Sequence, residues 1–213
     1  MLKAIFFDND GVLVDTEHLY YAATCAILAE VGTDVSEAEY IDINLRQGRS
    51  VFDLVRDRFD EPAIERLRQR RNARYQAMLE AGVQPLDGIA DVLGALQPRA
   101  RLAVVTSSNP EHFDVIHAAS GLLRFFEFAI TNRDYARSKP HPDPYLTALD
   151  RAGCRADEVI AIEDSERGLA AARAAGMRCI VVPRGLTRGG IFEGAHRVLA
   201  STREIVAAVE ALL

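Results

Sequence analysis

Two aspartates, Asp8 and Asp10, stand directly after a short apolar run, Ala4–Phe7. A wholly apolar run is typical of a strand that is buried on both faces, as in a parallel sheet. Side chains two residues apart leave a strand on the same side, so the two carboxylates can converge, and Gly11 lets the backbone turn away. Carboxylates that close repel unless a cation lies between them or one binds a proton. The stretch therefore indicates either metal or acid–base chemistry, or a strand-end turn in which Asp and Gly only supply turn geometry.

Three further polar stretches could carry chemistry. They are the Thr-Ser-Ser-Asn stretch at residues 106–109, Lys139 in a loop, and the Glu-Asp-Ser stretch at residues 163–165. The hydroxyl-rich stretch could be a helix cap, and the acidic stretch could simply precede a helix. A hydroxyl group beside free backbone N–H groups at a helix start is also a pocket for an anion.

Lys139 stands out in a chain that uses arginine for nearly all its positive charge. Of the 25 basic residues, only Lys3 and Lys139 are lysine. An ammonium group is a compact point charge, whereas a guanidinium group is a planar fork, so this position could require the ammonium. Chance is the alternative explanation.

The elements that must position these residues follow from the hydrophobic pattern. From residue 85 onward, apolar runs alternate with helical patterns, which predicts a parallel sheet with helices on both faces. The later strands are predicted at residues 102–106, 126–130, 159–162 and 179–182, and a closing helix at 201–213. Residues 16–84 show helical patterns only, with a capping box at Ser36 and Glu39. We therefore predict an α/β fold with a Rossmann-like core, residues 1–15 and 85–213, and an inserted all-helical domain, residues 16–84.

In an open parallel sheet, ligands bind outside the carboxyl ends of the strands. All the polar stretches described above follow predicted strands, so they should meet at one edge. Carboxylates at Asp8, Asp10 and Asp164 are the hard oxygen ligands that Mg²⁺ prefers. Lys139 and Thr106 suit the oxygens of a phosphoryl group. The combination predicts a site for a metal ion and a phosphate.

Composition narrows the class of partner. The net charge is −6 with both signs mixed along the chain, which argues against a nucleic-acid surface. A local group of arginines, Arg66, Arg68, Arg70 and Arg71, is predicted to lie on the solvated face of a helix. The three cysteines are too few and too scattered for a disulfide framework or a zinc site. With no signal-peptide pattern and no apolar run long enough to cross a membrane, we expect a cytoplasmic protein, by default a monomer.

Four stretches together resemble, in order, the four motifs of the haloacid dehalogenase superfamily. They are DNDGVLVDTE at residues 8–17, TSS at 106–108, SKPHPDP at 138–144 and IEDS at 162–165. The resemblance is closest to the phosphatase and beta-phosphoglucomutase-like branch, in which a helical cap follows the first motif. The helical insert matches that cap in place and type.

The resemblance implies a role for each motif residue. Asp8 would be the nucleophile that forms an aspartyl phosphate, and Asp10 the general acid and base, with its backbone carbonyl as a magnesium ligand. Asp164 would bind Mg²⁺ directly, and Glu163 would bind it or support a ligand. Thr106, the Ser107 backbone and Lys139 would hold the transferring phosphoryl group.

The same resemblance bears on the reaction and the substrate. Dehalogenases of the family lack a carboxylate at the position of Asp10, and phosphonate-cleaving members use a cap lysine, which residues 16–84 do not contain. A magnesium-dependent phosphatase of a small phosphate ester is therefore expected. A beta-phosphoglucomutase-like mutase and a non-catalytic metal- and phosphate-binding module are the alternatives. The cap would set selectivity, and Arg49 in its Gln-Gly-Arg-Ser loop is the candidate anion contact, with a solvated arginine as the other interpretation.

Overall fold

The structure is a computed structural model that describes residues 1–212. Its sheet has six parallel strands in the order β3-β2-β1-β4-β5-β6. The strands are β1 (Ala4–Phe7), β2 (Arg101–Val105), β3 (Phe128–Ile130), β4 (Val159–Glu163), β5 (Arg178–Val181) and β6 (Arg197–Val198). The predicted parallel α/β fold is confirmed.

Register brings the ends of the central strands to one level. β1 lies between β2 and β4, and Phe7 pairs with Val104 on one side and Ile162 on the other. Asp8 and Glu163, each one residue further on, are therefore neighbours at the carboxyl edge. This edge is the one at which the polar stretches were expected to meet.

Helices cover both faces of the sheet because the side chains of each strand alternate between the faces. Ile5 and Phe7 pack on one face against α4 (Ile89–Leu96), α5 (Pro110–His117) and α8 (Ile205–Glu210). Ala4 and Phe6 pack on the other face against α6 (Asp143–Ala152) and α7 (Glu166–Ala174). The site edge is thus built on a sheet held from both sides.

Residues 16–84 contain only helical elements and turns, as predicted. The elements are α1 (Glu17–Ala29), α2 (Glu37–Tyr40), a π-helical turn (Ile41–Arg46), a 3₁₀ turn (Val51–Val55) and α3 (Glu61–Glu80). Ser36 and Glu39 form the predicted capping box at the start of α2. This insert has an apolar cluster of its own, while Tyr75 of α3 packs with Ile116 of α5 and so connects the insert to the sheet domain.

The C-terminal end of the chain differs from the prediction in two ways. The closing helix is shorter than predicted: a 3₁₀ turn at Thr202–Glu204 leads into α8, and residue 213 lies outside the described residues. β6 was not predicted, because two exposed residues on a sheet edge leave no hydrophobic pattern in the sequence. In the part of the chain that the structure describes, no helix combines the length and the apolar character that a membrane crossing requires.

Candidate active site

Lys139 is the centre of the carboxyl edge. Its Nζ donates to Asp8 Oδ1 at 2.9 Å, to Glu163 Oε1 at 2.6 Å and to the Val105 carbonyl at 2.8 Å. These partners follow or end β1, β2 and β4, so one buried ammonium joins three adjacent strands. A guanidinium fork could not place one nitrogen among three acceptors in this way. The structure therefore gives the rare lysine a physical reason.

Asp8, Glu163 and Asp164 form an acidic cluster in which ligand oxygens lie within 4.8 Å of one another. All three residues are buried, and Glu163 is 0% exposed. Three carboxylates against the one ammonium of Lys139 leave a formal charge of −2. A divalent cation would balance that charge, and carboxylate oxygens are the ligands that Mg²⁺ takes. The residues present therefore fit a magnesium ion.

Neighbouring groups fix the orientation of the acidic cluster. Thr187 Oγ1 donates to Asp164 Oδ2 at 3.1 Å, and Tyr145 donates from its hydroxyl to Glu163 Oε1 at 2.6 Å. Two glycines allow the close packing: a Cβ at Gly11, where φ is +82°, would overlap the Asp164 carboxylate. A Cβ at Gly168, in the first turn of α7, would overlap the carboxylate of Glu163.

Burial raises the pKa of two carboxyl groups of this cluster, Asp8 and Asp164. Burial and the charge of Glu163 raise the pKa of Asp8 to about 7, although Lys139 opposes the shift. Burial, Asp8 and Glu163 likewise raise the pKa of Asp164 well above its ordinary value. For Lys139, burial lowers the pKa, but Asp8 and Glu163 raise it by more, so the ammonium stays charged.

Asp10 faces a different environment from Asp8. Ser108 Oγ donates to its Oδ2 at 2.6 Å, and the hydroxyl of Thr16 donates to its Oδ1. Thr106 Oγ1 lies 3.5 Å from Oδ2 and 3.0 Å from Ser108 Oγ. In the described residues, 1–212, the Asp10 carboxylate is not part of the acidic cluster. It lines the neighbouring cavity instead. The two aspartates thus have different hydrogen-bond partners.

The hydroxyl-rich stretch lies beside the acidic cluster rather than acting as a plain helix cap. Asn109 occupies the N-cap position of α5 but makes no side-chain cap hydrogen bond. Ser138, next to Lys139, donates to Ser107 Oγ at 2.8 Å. In the acidic stretch, the cap of α7 is Ser165, which accepts from the Gly168 amide at 3.2 Å, so Asp164 is left free to act as a ligand.

A cavity of about 290 Å³ opens beside Asp10, between the insert and the sheet domain. Arg71 lines it from the insert, with its guanidinium 4.3 Å from the ring centre of Tyr20. Arg167 lines it from α7, 3.9 Å from Glu17 at the start of α1. Burial raises the pKa of Glu17, with Arg167 opposing the shift. The cavity therefore has an arginine on each of two sides, with the carboxylates of Asp10 and Glu17 also in its lining.

Arg49 does not lie at this cavity. Its side chain is 61% exposed and turns to Asp53, 3.7 Å away in the same segment. Arg71, which we expected on the solvated face of its helix, supplies cavity charge instead. His112 also lines the cavity, with its ring against Tyr75.

Several residues at the site were not predicted from the sequence. They are Asn9, Thr16, Arg71, Tyr145, Arg167 and Thr187. Tyr145 and Thr187 support the carboxylates from elements far away in sequence, where no local pattern signals the contact. Asn9 and Thr16 belong to the stretch that resembles the first motif, so for these two residues that resemblance was the available signal.

Comparison with known proteins shows to which family the chain is similar. The sequence profile of the haloacid dehalogenase-like hydrolases matches residues 5–182. Protein CbbY of Cereibacter sphaeroides is 33% identical over 217 residues, covering 96% of this chain and 94% of that protein. Hexitol phosphatase B of Escherichia coli K12 is 30% identical over 187 residues, covering 85% of this chain and 84% of that protein. A crystal structure of a CbbY variant from Rhodobacter sphaeroides in complex with xylulose-1,5-bisphosphate has a TM-score of 0.83 at 29% identity, covering 96% of each chain.

Proposed function

The chain belongs to the haloacid dehalogenase-like hydrolases and is a phosphatase of that family. We propose that it is magnesium-dependent and acts through an aspartyl phosphate on Asp8. The observation that carries the proposal is the buried cluster of Asp8, Glu163 and Asp164 around Lys139, with Asp10 facing a cavity beside it.

The proposed reaction has two steps. A carboxylate oxygen of Asp8 attacks phosphorus, the bond from phosphorus to the leaving oxygen breaks, and Asp10 donates a proton to that oxygen. Water then attacks the phosphorus of the aspartyl phosphate and gives a proton to Asp10. The bond between phosphorus and Asp8 breaks, which releases inorganic phosphate and restores the Asp8 carboxylate. We propose that Thr106 and the Ser107 backbone donate hydrogen bonds to the phosphoryl oxygens and that the ammonium of Lys139 offsets part of their negative charge.

Asp8, Asp164 and Glu163 are the residues that would hold Mg²⁺, and the backbone carbonyl of Asp10 is a further proposed ligand. When bound, the ion would add positive charge at the phosphoryl oxygens. With all three carboxylates ionised, as metal binding requires, Lys139 alone leaves the site with a formal charge of −2, so a dianionic phosphate ester would be repelled without a further cation. This charge balance supports the dependence on magnesium.

We propose a small hydroxylated phosphate ester as the substrate. The cavity holds about 290 Å³, and amide and hydroxyl groups dominate its lining between Arg71 and Arg167. Such groups suit the hydroxyls of a sugar or polyol, while the arginines suit a second anionic group. Hexitol phosphatase B and the CbbY complex with xylulose-1,5-bisphosphate are relatives whose names point to the same chemistry.

The test is turnover of p-nitrophenyl phosphate and a panel of sugar and polyol phosphates, with and without Mg²⁺. We expect Asp8→Asn to lose activity by at least about 10³-fold, because the nucleophile is removed. Asp57→Asn, an exposed aspartate of the insert, is the control and should keep full activity. Equal rates for the wild type and Asp8→Asn would refute the mechanism.

The alternatives give different products in the same experiment. A mutase would convert beta-glucose 1-phosphate plus a bisphosphate activator into glucose 6-phosphate, whereas the proposed phosphatase releases free phosphate. A non-catalytic module would bind Mg²⁺ and phosphate without turnover. The domain division at residues 16–84, the monomeric state and the cytoplasmic location stay predictions from the sequence.

A further inference from the structure

His117, at the end of α5, is a buried titratable residue that the proposed chemistry leaves unused. It is only 5% exposed, and its ring lies 4.5 Å from that of Phe113, measured between centroids. Both ring nitrogens have partners: Nε2 lies 2.8 Å from Asn9 Oδ1, and Nδ1 lies 2.9 Å from Ser120 Oγ. Asn9 is the residue between the two aspartates of the site.

The direction of these hydrogen bonds is determined by their partners. Asn9 Oδ1 can only accept, so Nε2 of the ring carries a proton and donates it to that oxygen. In a neutral ring Nδ1 is then an acceptor for the Ser120 hydroxyl, whose oxygen accepts from the Leu122 amide at 3.1 Å and which also lies 3.4 Å from the His117 carbonyl. Burial lowers the pKa of His117 to about 4, although the charges of Asp10 and Asp114 oppose the shift, so the ring is neutral near pH 7.

This arrangement fixes the amide of Asn9. With Oδ1 turned to His117, its Nδ2 points to Asp10 Oδ2, 3.3 Å away. A flipped amide would place one oxygen against another at the Asp10 carboxylate. Asn9 is 0% exposed, and a buried amide is costly unless its hydrogen bonds are made. An apolar side chain would fill this position without the cost of burying a polar group, so the presence of a buried amide here requires an explanation.

We propose that His117 and Asn9 are positioning residues that hold the Asp10 carboxylate in the orientation from which it protonates the leaving oxygen. The inference rests on the proposed function, in which Asp10 is the general acid. Ser108 and Thr16 hold the same carboxylate through their hydroxyl groups. Loss of the Asn9 contact should therefore weaken acid catalysis without abolishing it.

The test compares two leaving groups in Asn9→Leu, His117→Leu and the double variant. Nitrophenolate is a weak base that leaves without a proton, whereas the alkoxide of a sugar or polyol phosphate requires one. We expect kcat/KM for the alkyl ester to fall about tenfold in each variant and that for p-nitrophenyl phosphate to fall less than about twofold. The double variant should lose no more than either single one, because both remove the same contact.

Two further variants separate positioning from simple loss of folded protein. His117→Gln places an amide N–H near the position of Nε2 and should restore most of the alkyl-ester activity. Ile116→Val, a cavity-forming change in the same helix, should not alter the ratio between the two substrates. An equal loss with both leaving groups would overturn the inference while leaving the phosphatase intact. A wild type that cleaves neither ester would instead refute the proposed function, and the inference with it.

Discussion

Replacing Lys139 by methionine should destabilise the protein in a strongly pH-dependent way when Mg²⁺ is chelated. Methionine keeps the apolar stem but loses the charge, so the three hydrogen bonds from Nζ disappear and Asp8, Glu163 and Asp164 lie buried without a cation. Removing one partner of a buried ion pair costs about 3–5 kcal/mol.

The uptake of one proton by a buried carboxyl group of the cluster limits that cost and makes it depend on pH. A carboxyl group with an unfolded-state pKa of about 4 takes up a proton at a cost of about 4 kcal/mol at pH 7 and about 1 kcal/mol at pH 5. The variant should therefore be less stable than the wild type by about 4 kcal/mol at pH 7 but by only about 1 kcal/mol at pH 5. Urea denaturation followed by circular dichroism measures both differences, since the chain has no tryptophan.

The other lysine provides the control. Lys3 pairs with Glu158 at 2.7 Å, but its side chain is 57% exposed, so Lys3→Met should cost less than about 1 kcal/mol at either pH. If Lys139→Met lost the same free energy of unfolding at pH 7 and pH 5, an unpaired buried carboxylate could not be the cause, and our account of the site would fail.

Three further predictions concern the groups around the site. In the unfolded chain His117 binds a proton near pH 6.5, but in the folded protein it does so only near pH 4, so the free energy of unfolding should fall by about 3 kcal/mol as the pH drops through this window. In urea denaturation His117→Gln should lack that part of the loss. A variant with the same pH dependence as the wild type would contradict this prediction. Gly11→Ala should lower the free energy of unfolding by more than about 3 kcal/mol, because the new Cβ overlaps Asp164. Gly32→Ala, also at positive φ but in open space, should lower it by only about 1 kcal/mol in the same assay. Equal losses would refute the overlap. Thr187→Val should weaken Mg²⁺ binding about tenfold by calorimetry, and unchanged affinity would show that the hydroxyl does not orient the ligand.

The meeting of Asp8, Lys139, Glu163 and Asp164 was predictable from the sequence. Each follows an apolar run or lies in a loop after one, and parallel strands present such positions at a common edge. No local pattern encodes the docking of the insert on the sheet domain, because contacts between distant side chains decide it. Arg71 therefore faces the cavity although its neighbours in sequence suggested solvent.

Short-range competition explains the case of Arg49. An aspartate four residues later attracts its side chain within the same segment, and the loop pattern alone cannot weigh that attraction against a contact across the cavity. Supporting residues such as Tyr145 were equally hidden, because their positions look like ordinary core positions of a helix. What the sequence supplied was the set of charged groups, and what it lacked was the geometry that holds them.

The glycine at position 168 restricts how this protein can change over generations. Any side chain there would collide with the carboxylate of Glu163, and moving the helix away would also displace Ser165 and Asp164 from the edge. A single substitution of this glycine should therefore be removed by selection. Another residue could be accepted here only together with a change at residue 163. Residues that line the cavity from the insert, such as Arg71, are free of this restriction, so new substrates are open to a lineage whose chemistry stays fixed.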